Sequence, residues 1–285
     1  MQCSVQRYGA ESLGEAPRIV VLGSCKLGNY VKSTPLLRGL KQRWPSGSVD
    51  FLGSGVTADF ETHCPWIDWR ISWDDPSPDA GLALQQALAD RQAQLGPVDL
   101  AINLDGFNPV TQALTTWLRP RYVAGGALTP NLRRDLPWGD LPQQRFLADP
   151  DWDSPAFLER YAGVFQSNYI AELFCRLAFI DTDFEAIELP AADPGFEVPE
   201  VLIHCTTARA AKIWPFAHWR RVVEACSARG LRVGLVGSPP AAQRSEYHSD
   251  GGEEALLAST ALIDLRGRTS LMQLAGACRQ AAAVV

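Results

Sequence analysis

The feature that most narrows what this chain can fold into is a repeated alternation of short apolar runs, turns and segments of helical period. "RIVVL" (18–22), "VDFLG" (49–53), "VDLAINL" (98–104) and "RYVAGG" (121–126) are rich in Val, Ile and Leu. They lack the apolar–polar alternation of a strand with one wet face, so they read as strands of a parallel sheet covered on both sides. The grammar restarts later with strand "VLIHC", loop "TTARAAKIW", helix "PFAHWRRVVEACSARG" and strand "LRVGLVG". A short helix "EEALLAS", strand "LIDLRG", helix "SLMQLAGACRQ" and a final "AAAVV" follow. Between the two series, "IELPAADPGFEVPEV" loses its period to prolines and reads as a linker. The expectation is an α/β chain of two Rossmann-like, doubly wound domains: a tail over 1–17, a first domain over 18–185, a linker over 186–200 and a second domain over 201–285. In such folds ligands sit at the carboxyl ends of the strands.

Within the first domain, Ser33-Thr34-Pro35 reads as a cap and first turn, since Leu36, Leu37, Leu40 and Trp44 then share one helical face. Everything from Gly23 to Pro35 is on this reading a strand-to-helix loop. A single long helix over "AFLERYAGVFQSNYIAELFCRLAFI" is expected to close the domain.

Composition bounds the function. The 285 residues are 46% hydrophobic and 20% charged, enough for two cores. A net charge of −6 argues against a nucleic-acid partner, because backbone phosphates need clustered Lys and Arg. Seven cysteines without a C-x-x-C pair read as reduced, mostly buried thiols rather than a zinc site or disulfide framework. No leader-like N-terminus and no membrane-length apolar run is present, so the cytoplasm is the expected compartment.

The loop "GSCKLGNYVKSTP" is neither a Walker A motif, since Asn29-Tyr30 follow Gly28 where Lys and Ser/Thr are required, nor the G-x-G-x-x-G dinucleotide fingerprint. "TTARAAKIWP" is more informative. Thr206 and Thr207 offer hydroxyls, Lys212 a compact cation, and Pro215 opens a helix whose amides and dipole favour a diphosphate. Asp181 and Asp183, and the acids at 149, 151 and 153, lack the glycine and bidentate Glu of a calcium loop and read as caps and solvated turns, so no metal is expected. Trp66, Trp69 and Trp73 suit either a sugar-stacking wall or packing, with packing favoured. No G-x-S-x-G accompanies the four histidines, and no Ser-His-Asp triad is supported.

Taken in order, "RIVVLGSCKLGNYVKSTPLLRGLKQRWPSGSVDFL", "VDLAINLDG", "TTARAAKIWPFAHWRRVVE", "VGLVGSPP" and "LIDLRGRTSLMQLAGACRQAAAVV" resemble glycosyltransferase family 9, the heptosyltransferase-like enzymes, from about residue 18 to the end. Lys-x-Trp-Pro is the most specific part. The resemblance implies a GT-B fold, a first domain for the acceptor and a second for a nucleotide-sugar donor, with no metal or cofactor. It implies an acceptor-side loop at Gly23, Lys26, Gly28 and Asn29, and donor contacts at Thr206, Thr207, Lys212, Gly237 and Ser238. The acceptor would be a glycan or lipid-linked glycan, and a peripheral association with a membrane surface is compatible with it.

The sequence departs from that family twice. Transferring members carry Gly-Asp in the glycine loop, where the aspartate is the proposed base, whereas this chain has Gly28-Asn29. A carboxamide cannot take the acceptor proton, which leaves Asp105 in "NLDGFNP" as the substitute base or as a turn cap, with Asn29 orienting the acceptor. The family also continues past "AAAVV", so the 88 residues from Val198 to Val285 read as an incomplete second domain. Two functions follow as expectations: a metal-independent glycosyltransferase, or a non-catalytic relative that binds sugar or nucleotide. A GT-B epimerase would need carboxylate–histidine pairs that the sequence does not place.

Overall fold

The computed structural model describes residues 5–151, 154–207, 209–242 and 251–285. The chain divides into two compact units, Met1–Leu189 and Pro190–Val285.

The first unit is built on a six-stranded, all-parallel sheet: β1 (Gln6–Arg7), β2 (Arg18–Leu22), β3 (Ser48–Gly53), β4 (Trp69–Ser72), β5 (Leu100–Asn103) and β6 (Tyr122–Gly125), in the order β1-β6-β5-β2-β3-β4. Every residue of β2, β5 and β6 is buried, which is why these runs carry no polar alternation. Part of the segment expected as a tail packs on this sheet. Gln6–Arg7 pairs with β6, Tyr8 is buried, and the Arg7 guanidinium donates to the carbonyls of Gly125, Leu136 and Pro137.

Two helical expectations change. The helix expected from Pro35 runs over Leu27–Arg43, with Pro35 inside it. Proline lacks the N–H that would serve the Val31 carbonyl, and the Thr34 hydroxyl donates to that carbonyl instead at 2.9 Å, while Ser33 donates to Tyr30 O at 2.7 Å. Leu36, Leu37 and Leu40 are fully buried, so packing holds a helix that a cap-and-proline reading would start later. Thr34→Val should therefore lower stability by about 1 kcal/mol in urea unfolding; an unchanged midpoint would mean the Val31 carbonyl is served otherwise.

The long closing helix is instead two, Pro155–Arg160 and Ile170–Leu177. Gly163 turns the chain at φ +83°, a conformation glycine adopts without cost. The buried Glu172 carboxylate accepts from the backbone amides of Gln166 and Ser167, both at 2.8 Å. The reversal packs Phe146, Phe157, Tyr161 and Phe165 into one aromatic cluster, a shape a straight helix could not make.

The second unit has a four-stranded parallel sheet: β7 (Val201–Ile203), β8 (Val233–Leu235), β9 (Ile263–Asp264) and β10 (Ala283–Val284), in the order β10-β7-β8-β9. Alternation along β7 sends Val201, Ile203 and Cys205 to one face, with Trp219, Val223 and Leu256. Leu202 goes to the other, with Val236, Leu265 and Ala277, so helices cover both faces. The expected linker is divided between the units: Glu188 pairs with Arg38 in the first, and Phe196 and Val198 pack into the second.

Candidate functional site

In the first unit the chain leaves β2 toward β3 and β4 on one side, then returns to build β5 and β6 on the other. The carboxyl ends of β2 and β5 therefore flank the point where winding reverses, the place where an open α/β sheet leaves a crevice. The Leu104 amide donates to Leu22 O at 2.9 Å, so the Gly23 loop and the Asp105 loop leave from neighbouring strands. This topology brings together Gly23, Lys26, Gly28, Asn29 and Asp105, which are scattered over eighty residues of sequence.

Each has a definable local reason. Gly23 is clamped, its amide donating to Leu52 O at 2.9 Å and its carbonyl accepting from Trp73 Nε1 at 3.0 Å. A Cβ there would lie 2.6 Å from the Phe51 ring, so the position requires glycine for close approach. Lys26 is exposed and caps the helix, while Gly28 and Asn29 lie in its first turn rather than in a loop. Asn29 is half-buried, and its Nδ2 donates to the hydroxyl of the buried Ser24 at 3.0 Å.

Asp105 is half-buried in a turn. Its carboxylate accepts from Asn108 Nδ2 at 3.0 Å, and Asn108 in turn caps helix Pro109–Trp117 by accepting from the Val110 amide at 2.9 Å. The turn role weighed for this aspartate is thus present, through the neighbouring cap. Beneath it, Asn103 Nδ2 donates to Gly126 O at 2.8 Å, and a Cβ on Gly126 would stand 2.0 Å from Gly106 O.

Sequence reasoning missed the neighbouring loop after β3. Glu61, fully buried, accepts from Thr57, from the Ser54 amide at 3.1 Å and from Arg70 Nε at 2.8 Å. Burial pushes its carboxyl above the usual range, with the Thr57 and Arg70 bonds opposing. No motif marks this group, because Glu61 lies in the short helix Ala58–Thr62 and its partners come from the loop before it and from β4.

In the second unit the same reversal falls between β7 and β10. The His204 amide donates to Val285 O at 3.0 Å. Thr206 is 5% exposed, and its Oγ1 is buried without a hydrogen-bond partner among the described residues. Thr207 is half-buried, Ala208 lies outside the described residues, and Lys212 is exposed at the end of the short 3-10 helix Ala210–Lys212. Helix Phe216–Ser227 begins at Pro215 with no side-chain cap. Gly237 and Ser238 follow β8, the neighbour of β7, with Gly237 at φ +152° and its carbonyl accepting from the Gly267 amide at 2.8 Å.

Trp214 stacks on His218 at 5.2 Å and meets Trp219 edge-on at 5.0 Å, with Trp219 in the core. These aromatics shape the loop by packing. Burial pushes the Cys205 thiol up to about 12, which leaves it protonated and inert beside Thr206 at neutral pH.

The other candidates are occupied elsewhere. Asp181 pairs with Arg176 at 3.0 Å, Asp183 accepts from the amides of Glu185 and Ala186, and Asp149 and Asp151 hold Arg160. Asp153 lies outside the described residues. Among the described residues no group of three or more His, Cys, Asp or Glu side chains is placed to hold a metal ion. Trp69 and Trp73 pack against the core. No helix among the described residues is long and apolar enough to cross a membrane.

No curated protein matches this sequence. Residues 145–285 match the model of glycosyltransferase family 9 (heptosyltransferase). Among solved structures, the glycosyl transferase family 9 protein of Veillonella parvula is 17% identical with a TM-score of 0.70, the match covering 97% of this chain and 77% of that one. The heptosyltransferase WaaC of E. coli, solved with ADP-2-deoxy-2-fluoro heptose, is 17% identical with a TM-score of 0.57, covering 94% and 81%. The iron-containing dodecameric glycosyltransferase TibC of enterotoxigenic E. coli is 12% identical with a TM-score of 0.52, covering 96% and 54%. The chain has the α/β, GT-B-like fold of these structures, and its residues 145–285 carry the pattern of glycosyltransferase family 9, the heptosyltransferase family.

Proposed function

We propose that the protein transfers a sugar from a nucleotide-diphosphate sugar to a glycan or lipid-linked glycan acceptor, in the cytoplasm and without a metal. The observation that carries the reading is the hydroxyl of Thr206 at the β7/β10 reversal, buried and without a partner among the described residues. A buried hydroxyl without a partner costs stability, and a phosphate oxygen at that edge would accept a hydrogen bond from it. The uncapped amides of helix Phe216–Ser227 and the ammonium of Lys212 add charge of the sign a diphosphate needs. The matched structure solved with an ADP-heptose analogue supports this class of donor.

In the reaction, an acceptor hydroxyl attacks the anomeric carbon, the bond to the diphosphate breaks, and the nucleoside diphosphate leaves. The proton goes to a base on the acceptor side. Asp105 is the carboxylate at that edge, with Asn29 orienting the acceptor by hydrogen bonds. Lys212 and the helix amides offset the leaving charge in place of a cation, so transfer should persist in EDTA; activity that returns only on adding a metal would reject that part.

Lys212→Ala should weaken nucleoside-diphosphate binding about tenfold, the loss of one charge-assisted hydrogen bond. Calorimetry against a panel of nucleoside diphosphates measures it, and unchanged affinity would remove Lys212 from the donor site.

A second reading, a non-catalytic sugar- or nucleotide-binding relative, is favoured by Asn29 and by the engagement of Asp105 with the Asn108 cap. Mass-spectrometric detection of a glycosylated acceptor excludes it. Nucleotide binding with no product from any donor would establish it.

A further inference from the structure

Running back from the strand edge that carries Asp105, the first unit has a groove of about 570 Å³ between helices Ala80–Leu95 and Pro109–Trp117. Leu84 and Leu88 form one wall, Val110, Leu114 and Trp117 the other, and Leu132 closes the side. That volume lies in the range of small-molecule sites, yet among the lining residues only Gln85 carries a polar side chain. Val110, Trp117 and Leu132 are each about half exposed, a cost that a water-soluble surface does not normally carry in one place.

The position of Leu132 is built. It sits at φ +58°, a region a leucine rarely adopts. Its amide donates to Thr129 O at 2.8 Å, and the Asn131 carboxamide oxygen accepts from the Thr129 hydroxyl at 2.8 Å and from the Arg133 amide at 3.2 Å. The turn is anchored to the groove wall, since Thr116 Oγ1 accepts from the Leu128 amide at 2.9 Å and donates to its carbonyl.

The two ends of the groove differ in charge. Both helices run back from the carboxyl edge of a parallel sheet, so Gly81 and Pro109 mark one end and Leu88 and Trp117 the other. The Leu128–Asp135 hairpin is tied to Thr116 through Leu128, and the Thr129 amide donates to Arg134 O at 2.7 Å, which keeps exposed Arg134 and its neighbour Arg133 on the Trp117 side. Exposed Asp79 precedes Gly81 at the opposite end. Exposed Arg119, Arg133 and Arg134 outnumber exposed Asp90 and Asp135 at the Trp117 end, and an apolar channel with a surplus of cations at one end and an anion at the other is complementary to a hydrocarbon chain whose head group is negative. A tryptophan at the basic end suits the boundary between chain and head group.

We propose that this groove takes one acyl chain of an anionic membrane lipid, with the head group beside Arg133 and Arg134, and so holds the protein at a membrane surface. The head group then lies at the end away from Asp105, so the lipid is an anchor rather than the sugar acceptor. The proposal stands independently of sugar transfer.

Cosedimentation of the full chain with phosphatidylglycerol vesicles tests it. The chain should bind, and phosphatidylcholine vesicles should bind it at least tenfold more weakly. Val110→Glu and Leu132→Glu, both at exposed positions, should each reduce binding more than tenfold with an unchanged thermal midpoint. The double variant Arg133→Glu/Arg134→Glu should lose the preference for the anionic lipid. Lys212→Ala should bind vesicles as the native chain does, which separates this outcome from failure of the donor site. Absence of binding, binding untouched by the groove variants, or a dimer in sedimentation that Val110→Glu dissolves would overturn the proposal, the last by seating a second copy in the groove.

Discussion

Asn29→Asp is expected to raise the rate of sugar transfer on the order of a hundredfold, the lower range of what a positioned general base contributes. Asn29 lies in the first turn of helix Leu27–Arg43, within hydrogen-bond reach of Ser24. A carboxylate of nearly the same shape fits there, with the Ser24 hydroxyl turning from acceptor to donor. The helix terminus favours the charged form, so the new base would be ionised at neutral pH. Asp105→Asn should in turn slow transfer about a hundredfold, while still accepting from Asn108 and so preserving the cap of Pro109–Trp117. In the double variant Asn29→Asp should recover much of that loss. Steady-state rates with one donor and acceptor pair decide the matter: no gain from the first and no loss from the second would remove both residues from proton transfer.

Asp50→Ala should lower the stability of the first unit by about 3–5 kcal/mol, the usual cost of stripping one partner from a buried ion pair. For a unit of this size that corresponds to a melting transition about 10 °C lower. Asp50 is fully buried, 3.3 Å from Arg18 Nε and 2.8 Å from an Arg91 guanidinium nitrogen, and Arg18 is itself 4% exposed. Without the carboxylate, the Arg18 charge stays buried and uncompensated. Calorimetry should show the transition of the first unit moving while nucleotide affinity of the folded protein is retained. A shift under about 2 °C would mean that water or other groups replace the carboxylate.

The aspartate that ends "PSGSVD" is therefore a lock between strand and helix, a role its spacing alone does not reveal. Arg18 is adjacent in the sheet, and Arg91 arrives from a helix more than seventy residues beyond Arg18.

The sequence by itself determined the parallel α/β class, the two successive series and the loops where chemistry is expected, because strands buried on both faces must be apolar throughout and glycine must stand where backbone meets packed rings. It also marked Thr206, Thr207 and Lys212 as a group, since they share one loop. The tertiary structure alone decided that the helix after β2 begins at Leu27, which moves Asn29 from a loop into a helical turn, because buried Leu36, Leu37 and Leu40 outweigh the local signal of Pro35. It alone decided that Gly163 and Glu172 break the expected closing helix, and that Glu61, Arg70 and Ser54 meet behind β3. The apolar groove was equally invisible in the sequence, since its walls come from two helices and a hairpin, and residues so far apart share no period. Local propensity and pattern are properties of neighbours in the chain, whereas ion pairs, close approaches and grooves belong to neighbours in space.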